Sequence, residues 1–152
     1  MGPTTMSEDA INSVLDAVVS AHAARDARAI LAEYHEDAVR YTLAPPLQQQ
    51  PGTAYGDVAG LEAWLGTFDG PVHIEHLDRQ ITSEGDVAFA HMLSQMTATP
   101  AGAPATFSFW YRTTVGLRRN EGRWQIVHHH DSTPFHMDGS FRAATDLEPP
   151  VG

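Results

Sequence analysis

Gly122-Arg123-Trp124-Gln125-Ile126-Val127-His128-His129-His130-Asp131-Ser132-Thr133-Pro134-Phe135 reads as a short β-strand that ends at a proline. In a strand, successive side chains point to opposite faces. Strict alternation therefore groups Val127, His129 and Asp131 on one face, and Trp124, Ile126, His128, His130 and Ser132 on the other. Histidine changes charge near neutrality and serves as acid, base, donor or ligand. Three imidazoles and a carboxylate in a row fit the wall of a pocket. They also fit a polar subunit interface or a solvated edge, and the residues leave these readings open.

Working back from that strand, Asn120-Glu121-Gly122 turns it out of a long strand from Thr106 to Arg119, which is entered through Pro100-Ala101-Gly102-Ala103-Pro104. Glu84-Gly85-Asp86 is a hairpin turn joining strands at His73–Thr82 and Val87–Thr99. Upstream of Val72 the period lengthens. Ile11, Val14, Leu15, Val18 and Val19 recur at helical spacing behind Ser7 as N-cap, predicting a helix to about Ala24. A second helix carries Ile30, Leu31 and Tyr34 and ends near Asp37, a short strand runs from Val39 to Leu43, and Ala44–Gly56 is an irregular loop. Asp57 caps a third helix bearing Leu61, Trp64, Leu65 and Phe68. The order predicts one α+β domain over residues 7–135, with residues 1–6 and 136–152 as loose tails. Its architecture is a cone-shaped, curved antiparallel sheet with three N-terminal helices packed on the concave face, enclosing a blind pocket.

Composition narrows the chemistry. The 152 residues suit a single domain, and 19 acidic against 9 basic residues give a net charge of -10, which argues against nucleic-acid and anionic-membrane partners. Every basic residue is Arg, so lysine Schiff-base chemistry is excluded. Cys is absent, removing disulfides, thiolate ligands and thiol nucleophiles. No apolar run approaches the ~20 residues of a membrane span, and the expectation is a soluble cytoplasmic protein.

Three passages carry a family likeness: Leu31-Ala32-Glu33-Tyr34-His35-Glu36-Asp37-Ala38-Val39, the Tyr55-Gly56 turn into the third helix, and the Gly122–Phe135 ending. With them the chain, over roughly residues 8–135, resembles the nuclear transport factor 2-like superfamily, in its SnoaL-like, ketosteroid-isomerase-homologue branch. That fold hosts isomerases, polyketide cyclases, dehydratases, epoxide hydrolases and assembly domains, so function must be argued from the site. The steroid isomerase pattern would put its base carboxylate near Thr42, its tyrosine near Val18 and its acidic donor near Thr114. None of these matches. The resemblance implies that His91, Arg112, Thr114, Val127, His129 and Asp131 face the pocket. Arg112 and Asp131 look like two members of an epoxide hydrolase trio whose second carboxylate is replaced by Thr114. His91 and His129 loosely resemble the paired histidines of scytalone-type dehydratases.

The candidate catalytic set is therefore His129, Asp131, His91 and Arg112. Asp131 could orient an imidazole and raise its basicity, or make a structural ion pair. Arg112 either pairs with Asp131 or binds an anionic or carbonyl group, and His91 equally fits a hydrogen-bonded core residue. Tyr34, Thr42, Trp64, Phe89, Trp110, Thr114 and Val127 are the expected pocket wall, suited to a flat apolar ligand. Gly122 with His128-x-His130 mimics part of a cupin metal motif but lacks its Glu, so no metal is expected. The expected function is a cofactor-independent acid–base enzyme of isomerase, dehydratase or cyclase type, acting on a small hydrophobic polyketide- or terpenoid-like molecule. The alternative is a non-catalytic ligand-binding or dimerising module. A homodimer through the sheet is expected from Phe107, Phe109 and Tyr111, read as an outer apolar face.

Overall fold

The computed structural model describes residues 3–150. Its elements are α1 (Pro3–Ala23), α2 (Ala27–Leu31), β1 (Tyr34–Tyr41), α3 (Val58–Leu65), β2 (Phe68–Glu84), β3 (Val87–Pro100), β4 (Phe107–Asn120) and β5 (Arg123–Ser132). The five strands form one curved sheet in the order β1-β5-β4-β3-β2, antiparallel except that β1 joins β5 in parallel. The helices cover the concave face. Ile11, Leu15 and Val18 of α1 and Leu61 and Leu65 of α3 bury against Val72, Ala90, Leu117 and Ile126 of the sheet. Among the described residues no helix is long and apolar enough to cross a membrane.

Local sequence explains most of the boundaries. Asp26 caps α2 by accepting from the Ala29 backbone N–H at 3.0 Å. The second helix is nevertheless shorter than its sequence suggests, and Tyr34 opens a strand instead of closing a helix. The Ile126 N–H bonds the Glu33 carbonyl at 2.9 Å and Tyr34 pairs with Ile126, so the ladder to β5 overrides helical propensity. The β4–β5 turn has φ of 53° at Glu121 and 79° at Gly122, the conformation that two-residue hairpins need. Residues 3–6 are helical, although the sequence reads as a loose leader there, and residues 1–2 lie outside the described residues. The sequence also reads as loose after residue 135. There, however, Phe135 bridges to Ala143, and Ala144 N–H donates to the Pro134 carbonyl at 2.8 Å, closing a turn.

The loop from Ala44 to Gly56 is tied down by one buried side chain. Gln49 donates through Nε2 to Thr42 Oγ1 and the Ala44 carbonyl, both at 3.0 Å, while its Oε1 accepts from the Tyr55 N–H at 2.8 Å. Asp57 then links loop and helix, accepting from Gly60 N–H at 2.8 Å and Gly52 N–H at 2.9 Å. Asp57→Ala removes a cap and a loop tether together. It is expected to cost about 1–2 kcal/mol, lowering the melting temperature by roughly 2–8 °C in a calorimetric scan.

One bulge decides which residues face inward. From the turn, Asn120 faces Arg123 and Leu117 faces Ile126, but the next pair is Gly116 with His128, so Val127 is an extra, unpaired residue. Past the bulge, His129 and Asp131 share the inner face with Ile126, and Val127 leaves that set. Directly paired residues lie on one face. Thr113 pairs with Asp131, which puts Phe107, Phe109, Tyr111, Thr113 and Val115 inside, and Trp110, Arg112 and Thr114 outside. His91 pairs with Thr114 and Phe89 with Gly116, so both point outward too. This overturns the inward placement of His91, Arg112, Thr114, Val127, Phe89 and Trp110. It also overturns the outward placement of Phe107, Phe109 and Tyr111.

Candidate active site

The inner sheet face, α1, α3 and the Thr42–Ala44 segment enclose a cavity of about 300 Å³, at the small end of the range for ligand pockets. Leu15, Val18, Trp64, Phe68, Met92, Met96, Phe107 and Phe109 give it an apolar wall. Two chains of hydrogen bonds cross that wall and meet on Asp131.

In the first chain, Tyr34 Oη lies 2.6 Å from His129 Nδ1, and His129 Nε2 lies 2.8 Å from Asp131 Oδ1. A carboxylate can only accept, so Nε2 carries the proton. In the neutral ring Nδ1 is then the acceptor, and the Tyr34 hydroxyl donates to it. The second chain runs from Ser94 Oγ to Thr113 Oγ1 at 2.7 Å, and from Thr113 Oγ1 to Asp131 Oδ1 at 2.8 Å. Thr113 spends its proton on the carboxylate, so Ser94 donates to Thr113. Both chains end on Oδ1. Among the described residues Oδ2 has no hydrogen-bond partner, and it belongs to a side chain that lines both the cavity and an outer groove formed by Tyr41, Pro45, Pro46 and Leu47. Asp131 thus stands at the mouth.

Burial disfavours the charged forms of the remaining polar groups. Burial pushes the Tyr34 phenol above its ordinary range, helped by the negative charge of Asp131 and opposed by Arg40, whose guanidinium lies 5.5 Å from the ring centre. Burial likewise raises Tyr55 and Tyr111. His22, on the inward face of α1, is pushed down to about 4 by burial, with His129 adding to the effect. Its Nδ1–H donates to the Val18 carbonyl at 2.8 Å, so Nε2 accepts from the Tyr55 hydroxyl. Burial lowers Arg40 from its ordinary value as well. It binds the Tyr55 and Gly56 carbonyls at 2.6 and 3.0 Å, tying that turn to β1.

Of the residues singled out in the sequence, the fold brings His129, Asp131, Tyr34, Thr42 and Trp64 to the cavity. His91, Arg112, Phe89, Trp110, Thr114 and Val127 stay off it. Arg112 does not pair with Asp131. Its Nε donates instead to Ser132 Oγ at 3.1 Å on the outer face. His128 and His130 are also outside, flanking Tyr41 edge-on at ring distances of 4.9 and 5.4 Å. Among the described residues no group of three His, Asp or Glu side chains is placed to hold a metal. Sequence reasoning missed His22, Tyr55, His76, Ser94, Tyr111 and Thr113, which all line the cavity. His22 had a signal, since it follows Val18 at helical spacing on an apolar face. The others carry none that is local.

Comparison with known proteins agrees with this architecture. The family model described as a SnoaL-like domain matches residues 11–136, and no curated protein matches. Among solved structures, a nuclear transport factor 2-like protein of unknown function from Pseudomonas putida KT2440 is similar at 32% identity, covering 97% of this chain and 100% of that one, with a TM-score of 0.81. A provisionally assigned scytalone dehydratase from Novosphingobium aromaticivorans DSM 12444 is similar at 14% identity, covering 97% of each chain, with a TM-score of 0.75. A ketosteroid isomerase-like protein from Erwinia carotovora atroseptica SCRI1043 is similar at 21% identity over 82% of this chain and 93% of that one, with a TM-score of 0.64. The last two likenesses speak to the fold.

Proposed function

The chain belongs to the SnoaL-like family, and from that premise we propose that it is a cofactor-independent acid–base enzyme of isomerase, dehydratase or cyclase type. Its substrate is a small, hydrophobic, polyketide- or terpenoid-like molecule. The observation that carries this reading is the convergence of two hydrogen-bond chains on one oxygen of Asp131, leaving Oδ2 for the ligand at the mouth of an apolar cavity. Asp131 Oδ2 takes a proton from carbon beside a carbonyl, breaking C–H and forming O–H while the electron pair moves onto the carbonyl oxygen. Returning the proton at another carbon isomerises the ligand; returning it instead to a β-hydroxyl, as the enolate pair forms C=C and the C–O bond breaks, releases water and dehydrates it. His129, with both nitrogens engaged, steadies the carboxylate rather than acting as the base.

A panel of uncharged cyclic ketones and β-hydroxyketones, incubated in D2O and followed by NMR, tests this. Deuterium incorporation or dehydration at least ~100-fold above buffer is expected for some members. Ligands that bind without exchange or turnover would favour the second reading, a non-catalytic ligand-binding module. That reading draws support from the saturated His129 and the mismatched steroid isomerase positions. We also propose a homodimer through the outer sheet face. With Phe107, Phe109 and Tyr111 facing inward, it rests on the exposed Leu77, Phe89 and Tyr41.

A further inference from the structure

His76 lines the cavity from β2, the strand at the opposite edge of the sheet from β1 and three places from β5. Neither chain ending on Asp131 touches it. Its Nδ1 lies 2.8 Å from Arg79 Nη2. A guanidinium has donors only, so Nδ1 must offer its lone pair and the ring proton must sit on Nε2. Arg79 is itself fixed: its Nη1 donates to Asn12 Oδ1 and Asp16 Oδ1 of α1, both at 2.9 Å. A bulge between Leu77 and Gln80, with Asp78 at φ 56°, turns Arg79 inward to make these contacts. Among the described residues Nε2 has no hydrogen-bond partner, and the one sealed side-chain atom without a partner is Thr133 Oγ1, not this nitrogen. The clamped ring therefore offers a single N–H to the space it lines. Burial first, and then the Arg79 charge, push this imidazole down to about 4, so it stays a neutral donor at physiological pH.

The charges around the cavity constrain what that donor can meet. Among the described residues no arginine lines it, while Asp131 does. A carboxylate ligand would lose its hydration without gaining a cation, which is costly. We infer that His76 Nε2–H holds the carbonyl oxygen of an uncharged ligand, so that the cavity selects neutral ketones, aldehydes or lactones over acids and hydrocarbons of the same shape. This rests on the cavity being the ligand site proposed above. It extends that reading with a second pole: a donor on β2 steadies the oxygen that gains negative charge as Asp131, on β5, removes the proton. Arg79 is a positioning residue, acting through His76.

The probes are acetophenone, its hydrocarbon isostere α-methylstyrene, and benzoate. Wild-type protein should bind acetophenone about tenfold more tightly than α-methylstyrene, the worth of one neutral hydrogen bond, and benzoate most weakly. The infrared band of 13C-carbonyl acetophenone should move to lower frequency on binding. His76→Leu should abolish the preference and return the band, and His76→Gln should keep part of both. Imidazole 15N shifts should report the Nε2–H form of His76 in wild type and a tautomer mixture in Arg79→Met. If His76→Leu does not fold, the wild-type band and 15N shifts decide alone. Equal binding of ketone and isostere with an unshifted band overturns the inference and leaves the cavity as a ligand site. Binding of none of the three probes overturns the cavity reading, and this inference with it.

Discussion

Asp131→Asn is expected to leave the protein folded and to reduce per-molecule turnover about 100-fold or more, the range that general acid–base catalysis contributes. The geometry makes the two outcomes separable. His129 Nε2–H and Thr113 Oγ1–H both donate to Oδ1. An asparagine can keep its carbonyl oxygen there, holding both chains, while its NH2 takes the place of Oδ2. A lone pair facing the ligand becomes a donor, and the base is gone without a cavity or an orphaned partner. Deuterium exchange measured beside a thermal melt checks this. A melting temperature near wild type with exchange reduced to background is the expected pair. A large drop in melting temperature with per-molecule exchange unchanged would make Asp131 a structural anchor and move the chemistry elsewhere.

That Asp131 and His129 belong together was legible in the sequence, since two residues of one parity on a strand share a face wherever the strand lies. Their neighbours across the sheet were not. Counting back from the Asn120-Glu121-Gly122 turn without a bulge sets Arg112 opposite Asp131 and Thr114 opposite His129. The bulge at Val127 slips the register by one, so Thr113 faces Asp131 and Thr114 faces His130. A one-residue slip exchanges the whole inner set for the outer one. Arg112, Thr114 and, through β3, His91 and Phe89 leave the site together, and Tyr111, Thr113 and Ser94 enter it. The only local hint is Gly116, since glycine within a strand often marks a bulge. Helix spacing, by contrast, transferred well. Val14, Leu15, Val18 and Leu61 are buried where their period puts them, because a helix has no partner register to slip. Tyr55 and His76 reach the cavity through a loop closed by Gln49 and a strand bent at Asp78, and neither event has a short-range signature.

Acidification from pH 7 to pH 5 should destabilise the protein by on the order of 3 kcal/mol, lowering its melting temperature by roughly 10 °C. His22 and His76 both fall from an ordinary value of 6.5 to about 4 in the folded state. A folded-state value below the unfolded one means that the unfolded chain takes up protons first. Stability is therefore fully present above about pH 6.5, declines as pH falls towards 4, and levels off below that. Each pKa unit is worth about 1.4 kcal/mol, and both rings contribute. The groups facing these rings are Tyr55, His129 and Asp131 around His22, and Arg79, Asp16, His129 and Asp131 around His76. The carboxylates favour protonation and soften the slope, while Arg79 opposes it. Substitution separates the two contributions. His22→Leu gives up the hydroxyl contact of Tyr55 and should lower stability at pH 7, yet its melting temperature should fall less steeply with pH than that of wild type. Calorimetric scans at half-unit steps between pH 7 and pH 4 measure that slope. A flat wild-type profile, or an unchanged slope in His22→Leu, would mean that water reaches these imidazoles and that the cavity is wetter than its apolar walls imply.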